Sequence, residues 1–134
     1  MVNQISVFVE NKLGRLAQVL EIIANAGVNL SAISIGDTAD FGILRLIADK
    51  TEIAEKALKD ANLSINITKV LGLKISDAPG SFAKVVQILS ESEISIEYMY
   101  SFNTGFDNKS SIIIRVNNNE KAIKVLQKNN IELI

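Results

Sequence analysis

The chain has no cysteine and no histidine. Disulfides, zinc sites built on these residues and Cys or His nucleophiles are thereby excluded. The commonest general base near neutral pH is missing as well. Aromatic residues make up only 5% of the 134 residues, and proline occurs once, at Pro79. A core drawn from this sequence must consist of Ile, Leu, Val and Ala, which the 48% hydrophobic content supplies. Charge of either sign is unclustered, and 14 basic against 15 acidic residues leave a net charge of −1. A nucleic-acid binder normally carries a basic face, so this balance argues against one and against a polybasic membrane anchor. No apolar run approaches the ~18–20 residues of a membrane-spanning helix. The start, "MVNQISVFVENK", lacks the basic segment of a secretory signal. A soluble, cytoplasmic protein is the expectation.

What is present is a duplication. Residues 5–36 align with 71–102 at a constant offset of 66, which places Gly14 on Gly80, Ala17 on Ala83, Val19 on Val85 and Ile22 on Ile88. An insertion within "NTGFDNKSS" then brings Arg45 onto Arg115. Self-similarity at a long fixed offset marks a repeated structural unit, so the chain divides into residues 1–68 and 69–134.

The periodicity changes in the same order within each unit. "QISVFVE" alternates and is rich in β-branched residues, a strand pattern. "GRLAQVLEIIANAG" carries Leu16, Val19, Leu20 and Ile23 on one helical face, and Gly27 fits the left-handed position that ends a helix. "VNLSAISIG" and "FGILRLIAD" read as strands, "TEIAEKALKDAN" as a helix with Thr51 as its N-cap, and "LSINITKV" as a last strand. The second unit repeats this with "VLGLKIS", "GSFAKVVQILSE", "ISIEYMYSF", "SSIIIRV", "NEKAIKVLQKN" and "IELI". Both units are β-α-β-β-α-β. The expected fold class is α+β, with two ferredoxin-like units, each an antiparallel sheet carrying two helices on one face. Right-handed crossovers favour strand order 4-1-3-2. A unit of about 65 residues is marginal alone, and pairing of units is expected to cover sheet edges.

The strand-to-helix corner occurs twice, as "NKLGRL" and "DAPGSF". The first N–H groups of a helix lack intrahelical partners and lie at the positive end of its dipole, where an anion is favoured. Glycine at positions 14 and 80 lets a ligand approach the backbone, and Pro79, expected at the first helical position, loses nothing by lacking an N–H. The plainer reading is a structural turn, with Asn11 and Asp77 capping the helices.

A βαββαβ unit with Asn/Asp-x-Pro-Gly-x-Leu/Phe at its first corner resembles an ACT domain, the small regulatory amino-acid-binding module. The two units together extend this resemblance over essentially the whole chain. "ANAGVNLSAIS" is similar to the helix end and second strand of the serine-sensing ACT domain of phosphoglycerate dehydrogenase. That family's corner and second-strand asparagines match Asn11 and Asn29, and the second unit has Asp77 and Ser95 there. A ligand-contacting histidine of the family, two residues before the corner, is replaced by Val9 and Ile75. The resemblance thus implies an amino-acid ligand without specifying serine. It implies a site shared between two units, with one corner facing the second strand of another. The candidate ligand-binding residues are Asn11, Lys12, Leu13, Gly14, Arg15 and Leu16, with Asn29 and Ser31, in the first unit. In the second they are Asp77, Ala78, Pro79, Gly80, Ser81 and Phe82, with Ser95. Leu13, Leu16, Phe82 and Met99 are candidates for a side-chain pocket, with a core role as the alternative for Phe82. No cofactor or metal is called for.

Arg45 and Arg115 share a position inside apolar third strands, either on a solvated sheet face or facing a carboxylate across a unit interface. Tyr98, Tyr100 and Phe102 fall on one strand face and Met99 on the other. The third strands lack the aromatic and basic residues of RNA-recognition sheets, so packing at an interface is expected for this row. Side-by-side pairing through second strands would separate the fourth strand of unit one from the first of unit two by about 29 Å, six strand spacings of ~4.8 Å. The junction near Thr68–Leu71 is too short for that within one chain. A homodimer is the expected consequence. The leading functional expectation is an amino-acid-sensing regulator of a partner enzyme or regulator of amino-acid metabolism. The alternative is a ligand-free interaction subunit. A small enzyme is the least favoured class, since Asp37, Asp40 and Asp107 all fall near hairpins where solvated turn residues are the norm.

Overall fold

Alternation decides the strands. In β1 (Val2–Glu10), Ile5, Val7 and Val9 are buried while Ser6 and Phe8 face the other side. The computed structural model describes residues 1–37, 40–101 and 109–134, with Asp37 described through its backbone only. The elements that follow are α1 (Arg15–Asn25), β2 (Leu30–Asp37), β3 (Phe41–Ala48), α2 (Thr51–Asp60) and β4 (Ile65–Ser76). After them come α3 (Ser81–Glu91), β5 (Ile96–Ser101), β6 (Lys109–Val116), α4 (Asn119–Lys128) and β7 (Glu132–Leu133). The chain forms two compact units, Asn3–Thr68 and Lys69–Ile134 with Met1–Val2.

In the first unit β3 lies between β1 and β2, antiparallel to both, and the sheet order is β4-β1-β3-β2. In the second, β4 pairs with β6 and with β7, and β6 pairs with β5, which gives β7-β4-β6-β5. Both are the expected 4-1-3-2 order. The strands read separately in "LSINITKV" and "VLGLKIS" are a single strand, β4. The reason is local: the segment is rich in β-branched residues, and its one glycine, Gly72, has no positive φ and so makes no turn.

Each unit has its own core. In the first, Ile5, Val7 and Val9 of β1 and Leu44 and Leu46 of β3 pack with Val19 and Ile23 of α1 and Ala54 and Leu58 of α2. In the second, Leu71, Leu73, Ile75, Ile112 and Ile114 meet Val85, Leu89, Ala122 and Leu126. Each fully buried aliphatic side chain contributes about 1.5–3 kcal/mol. These residues repeat at i, i+4 on the helices and i, i+2 on the strands, so the two periods of the sequence are the two walls of each core.

Helix ends follow the sequence in part. Gly27 takes the left-handed conformation after α1 at φ 75°. Thr51 is the first residue of α2 and not its cap, because the carbonyl of Lys50 already accepts from Ala54 N at 3.1 Å. Asn118 caps α4 with its side chain, accepting from Lys121 N at 3.0 Å. Arg115 pairs with Glu97 at 3.3 Å and donates to the carbonyl of Lys69 at 3.0 Å, so its carboxylate partner lies on the neighbouring strand of its own unit. Tyr98 and Tyr100 share a face with stacked rings 6.4 Å apart, while Met99 faces the other side. Phe102 and Asp107 lie outside the described residues. Among the described residues, no helix is long and apolar enough to cross a membrane.

Candidate functional site

The two corners have the same backbone. β1 ends at Glu10, and Gly14 sits at φ 85°, ψ −9° immediately before α1. β4 ends at Ser76, and Gly80 sits at φ 87°, ψ −5° immediately before α3, so Pro79 lies in the turn and not at the first helical position, because the left-handed glycine after it opens the helix. The carbonyls of Lys12 and Ala78 accept from Arg15 N and Ser81 N, both at 3.2 Å. Those of Gly14 and Gly80 accept from Gln18 N at 3.1 Å and Lys84 N at 2.9 Å. A residue with a Cβ strains in this left-handed conformation by roughly 1–2 kcal/mol. A Cβ added at either glycine would meet nothing within 4 Å. The backbone angle therefore demands glycine, and the space beside it is open.

Neither α1 nor α3 has a side-chain cap. The N-cap positions are Gly14 and Gly80, so Asn11 and Asp77 do not occupy them, and no N-cap side chain covers the first N–H groups of the helices. These are the groups at which an anion is favoured.

The side chains around the two corners differ. At the first, the Glu10 carboxylate lies 3.1 Å from Lys12 Nζ and 3.8 Å from the Arg15 guanidinium. Arg15 also donates to Gln18 Oε1 at 3.2 Å. The hydrogen bond and charge of Lys12, and then the charge of Arg15, hold the Glu10 carboxyl below its ordinary value of 4.5. The equivalent positions in the second unit are the uncharged Ser76, Ala78 and Ser81, and Asp77 accepts weakly from Ser110 Oγ at 3.4 Å. A carboxyl with a depressed folded pKa stabilises the fold above its unfolded pKa, and that contribution is lost as pH falls through the folded value. Glu10→Gln is therefore expected to lower stability at neutral pH by a small, salt-sensitive amount, and the difference from wild type should vanish in acid below the folded Glu10 pKa. Denaturation midpoints of both proteins against pH check this, and a difference that persists in strong acid would contradict it.

The second-strand candidates are held by their backbones. Asn29 N donates to Asp49 Oδ1 at 2.9 Å, while Asp49 N donates to the Asn29 carbonyl at 3.0 Å. Ser95 and Asn117 repeat this exchange at 3.1 and 3.2 Å. Ser31 Oγ donates to the Ile47 carbonyl at 3.4 Å. Register then separates these residues from the corner. Ile33 is level with Leu46, and Leu46 with Ile5, so Asn29 and Ser31 lie toward the start of β1 while Asn11–Gly14 follow its end. At about 3.4 Å per residue this is roughly 25–30 Å within one unit. One unit does not bring its two sets of candidates together.

Leu13 is fully exposed, and Leu16 is half-buried against the core of its unit. Phe82 is 42% exposed and does not fill the core. It lies one turn before Val85 on the same stripe, nearer the helix start, where the core no longer covers it. Asn11, Lys12, Gly14, Arg15, Ala78, Pro79 and Gly80 are all exposed, and Ser81 is half-buried.

Sequence reasoning missed a groove that recurs beside each corner. The first, about 620 Å³, opens between α1 and the turn into β4, with Val9, Val19 and Leu63 as floor and Phe8, Phe41 and Glu21 at its rim. Arg15 is the one candidate site residue that lines it. The second, about 730 Å³, has the corresponding place between α3 and the turn into β7, and Ser81 is the one candidate there. A signal was available in Phe8, a large apolar residue on the strand parity opposite to the core. Among the described residues, no group of three or more acidic side chains stands close enough to hold a metal ion.

Comparison with known proteins gives the family. No curated protein matches this chain. A protein of Bacteroides thetaiotaomicron with a solved crystal structure is 44% identical, with TM-score 0.93 over 99% of this chain and 91% of that one. The ligand-free regulatory subunit of aspartate kinase from Thermus thermophilus shares 18% identity at TM-score 0.69, over 94% of this chain and 91% of its own. The corresponding subunit from Thermus flavus aligns at TM-score 0.65 with 18% identity, over 94% and 90% of the two chains. These last two show a common fold. The model of the ACT domain pair matches residues 1–134. With its two ferredoxin-like units, each opening a glycine corner at the start of its first helix, the chain belongs to the ACT domain pair family.

Proposed function

We propose that this chain is a cytoplasmic, non-catalytic regulatory protein that binds an amino acid at its glycine corners and transmits occupancy to a partner enzyme or regulator of amino-acid metabolism. The observation that carries this reading is the pair of corners, where Gly14 and Gly80 hold open space in front of helix starts without side-chain caps. A ligand carboxylate suits those N–H groups, and Asn11 or Asp77 suits its ammonium. The regulatory subunits of similar fold give the proposal its biological direction.

The roughly 25–30 Å between corner and second-strand residues supports a site completed by a second copy. A two-fold axis beside β2 would reverse its direction in the partner and carry Asn29 and Ser31 of one chain toward the other chain's corner. We therefore also propose a homodimer; a strict monomer by light scattering at tens of micromolar would remove it. Ligand can regulate only through different affinities for two states.

Thermal shift against the twenty amino acids tests the reading. Ligand that binds only the native state raises the melting temperature, by an amount equivalent to about 2.7 kcal/mol at a hundred times its Kd. At least one amino acid is expected to do so at millimolar concentration. No response would favour a ligand-free interaction subunit. One observation points toward that second reading: Val9 and Ile75, at the position of the family's ligand-contacting histidine, are buried in the cores.

A further inference from the structure

The duplication provides an internal comparison for the two corners. Their backbones are equivalent: Gly14 and Gly80 share one conformation. The N–H groups of Leu16 and Ala17, like those of Phe82 and Ala83, have no acceptor among the described residues. Their charges are opposite. From Glu10 to Arg15 the first corner carries one carboxylate and two cations, Lys12 and Arg15. From Ser76 to Ser81 the second carries Asp77 alone.

The two cations of the first corner meet at one point. Lys12 Nζ and the Arg15 guanidinium approach the same oxygen, Glu10 Oε2, at 3.1 and 3.8 Å. The protein thus already seats a carboxylate between these two groups, with that oxygen shielded from solvent. The seat is loosely held. All three side chains are 42–69% exposed, and Arg15 divides its donors between Glu10 and Gln18. Ion pairs so exposed contribute little to stability, and one carboxylate against two cations leaves the cluster positive. A second carboxylate can therefore replace that of Glu10 at small cost. We propose that the first corner selects an amino acid with an anionic side chain, whose side-chain carboxylate takes the place of Glu10 between Lys12 and Arg15. Glu10 is then a built-in competitor, and the second corner, with Asp77, disfavours the same ligand. This inference rests on the amino-acid reading of the corners and names the ligand class of the first.

Amide NMR of the full chain at low ionic strength, titrated with aspartate, glutamate, asparagine or glutamine, tests this. At least one of the two acids is expected to shift the Gly14 and Leu16 amides saturably, with a Kd at least about threefold lower than that of its own amide counterpart. Added salt should shrink that ratio. The Gly80 and Phe82 amides should show no preference for the acid. Glu10→Gln, which removes the competing charge, should widen the ratio at Gly14 by about threefold, and Lys12→Gln/Arg15→Gln should bring it to about one. Equal affinities for acid and amide at Gly14, or a Glu10→Gln variant that binds the acid more weakly, would overturn the inference while leaving amino-acid binding at the corner in place. Saturable shifts at Gly80 alone would also overturn it and leave the second corner as the amino-acid site. No shift at either corner with any of the twenty amino acids would remove the inference and the amino-acid reading together.

Discussion

Truncating Leu89 to alanine is expected to lower the stability of the second unit by about 2–5 kcal/mol. Leu89 is fully buried, on the α3 stripe with Val85, and packs in the core formed with Leu71, Ile114 and Leu126. Alanine there removes three carbon atoms from a site closed by strands and a second helix, so lost transfer energy and the residual cavity act together. Val86→Ala, three positions earlier on the same helix, is the control. Val86 is exposed, and its truncation should change stability by no more than about 0.5 kcal/mol. Denaturant titration checks both, read as a change in midpoint at constant slope. Equal effects of the two substitutions would mean that α3 does not present this face to the core.

Valine at Gly14 or Gly80 is expected to be costly for a different reason. Both glycines stand near φ +85° with open space around them, so the penalty is conformational and not steric against neighbours. A β-branched residue strains more than alanine in this region, and about 1–3 kcal/mol is expected at each site. Relaxation of that strain rotates the helix start, so binding at the substituted corner should fall with stability. Alanine, which tolerates the conformation better, should retain more of both. If Gly80→Val were as stable as wild type, the left-handed corner would not be the conformation in solution.

Much of the fold was legible because duplication repeated every signal. The period-2 and period-3.6 patterns gave the strands and helices, and Gly27 marked a position of positive φ, while Asn62, Glu93 and Asn130 adopt one without glycine. Three features escaped for local reasons. The junction at Thr68–Leu71 carries no turn residue, so two strands run together as β4. Thr51 has a capping side chain, yet the carbonyl of Lys50 opens α2 one residue earlier. Phe82 has core spacing, but a stripe extends past the core at a helix start, and spacing alone does not show where the core ends.

The candidate site was legible in its corners and not in its closure. Motif residues gave Asn11–Leu16 and Asp77–Phe82 directly. The register that holds Asn29 and Ser31 at the far end of the sheet depends on strand pairing, which no local pattern states.

The most direct test of the account follows the Gly14 and Gly80 amides by NMR while the full chain is titrated with each of the twenty amino acids. Saturable shifts centred on Asn11–Leu16 or Asp77–Phe82, with at least one amino acid, are the expected result. No saturable shift at either corner with any amino acid, or shifts confined to other surfaces, would contradict it.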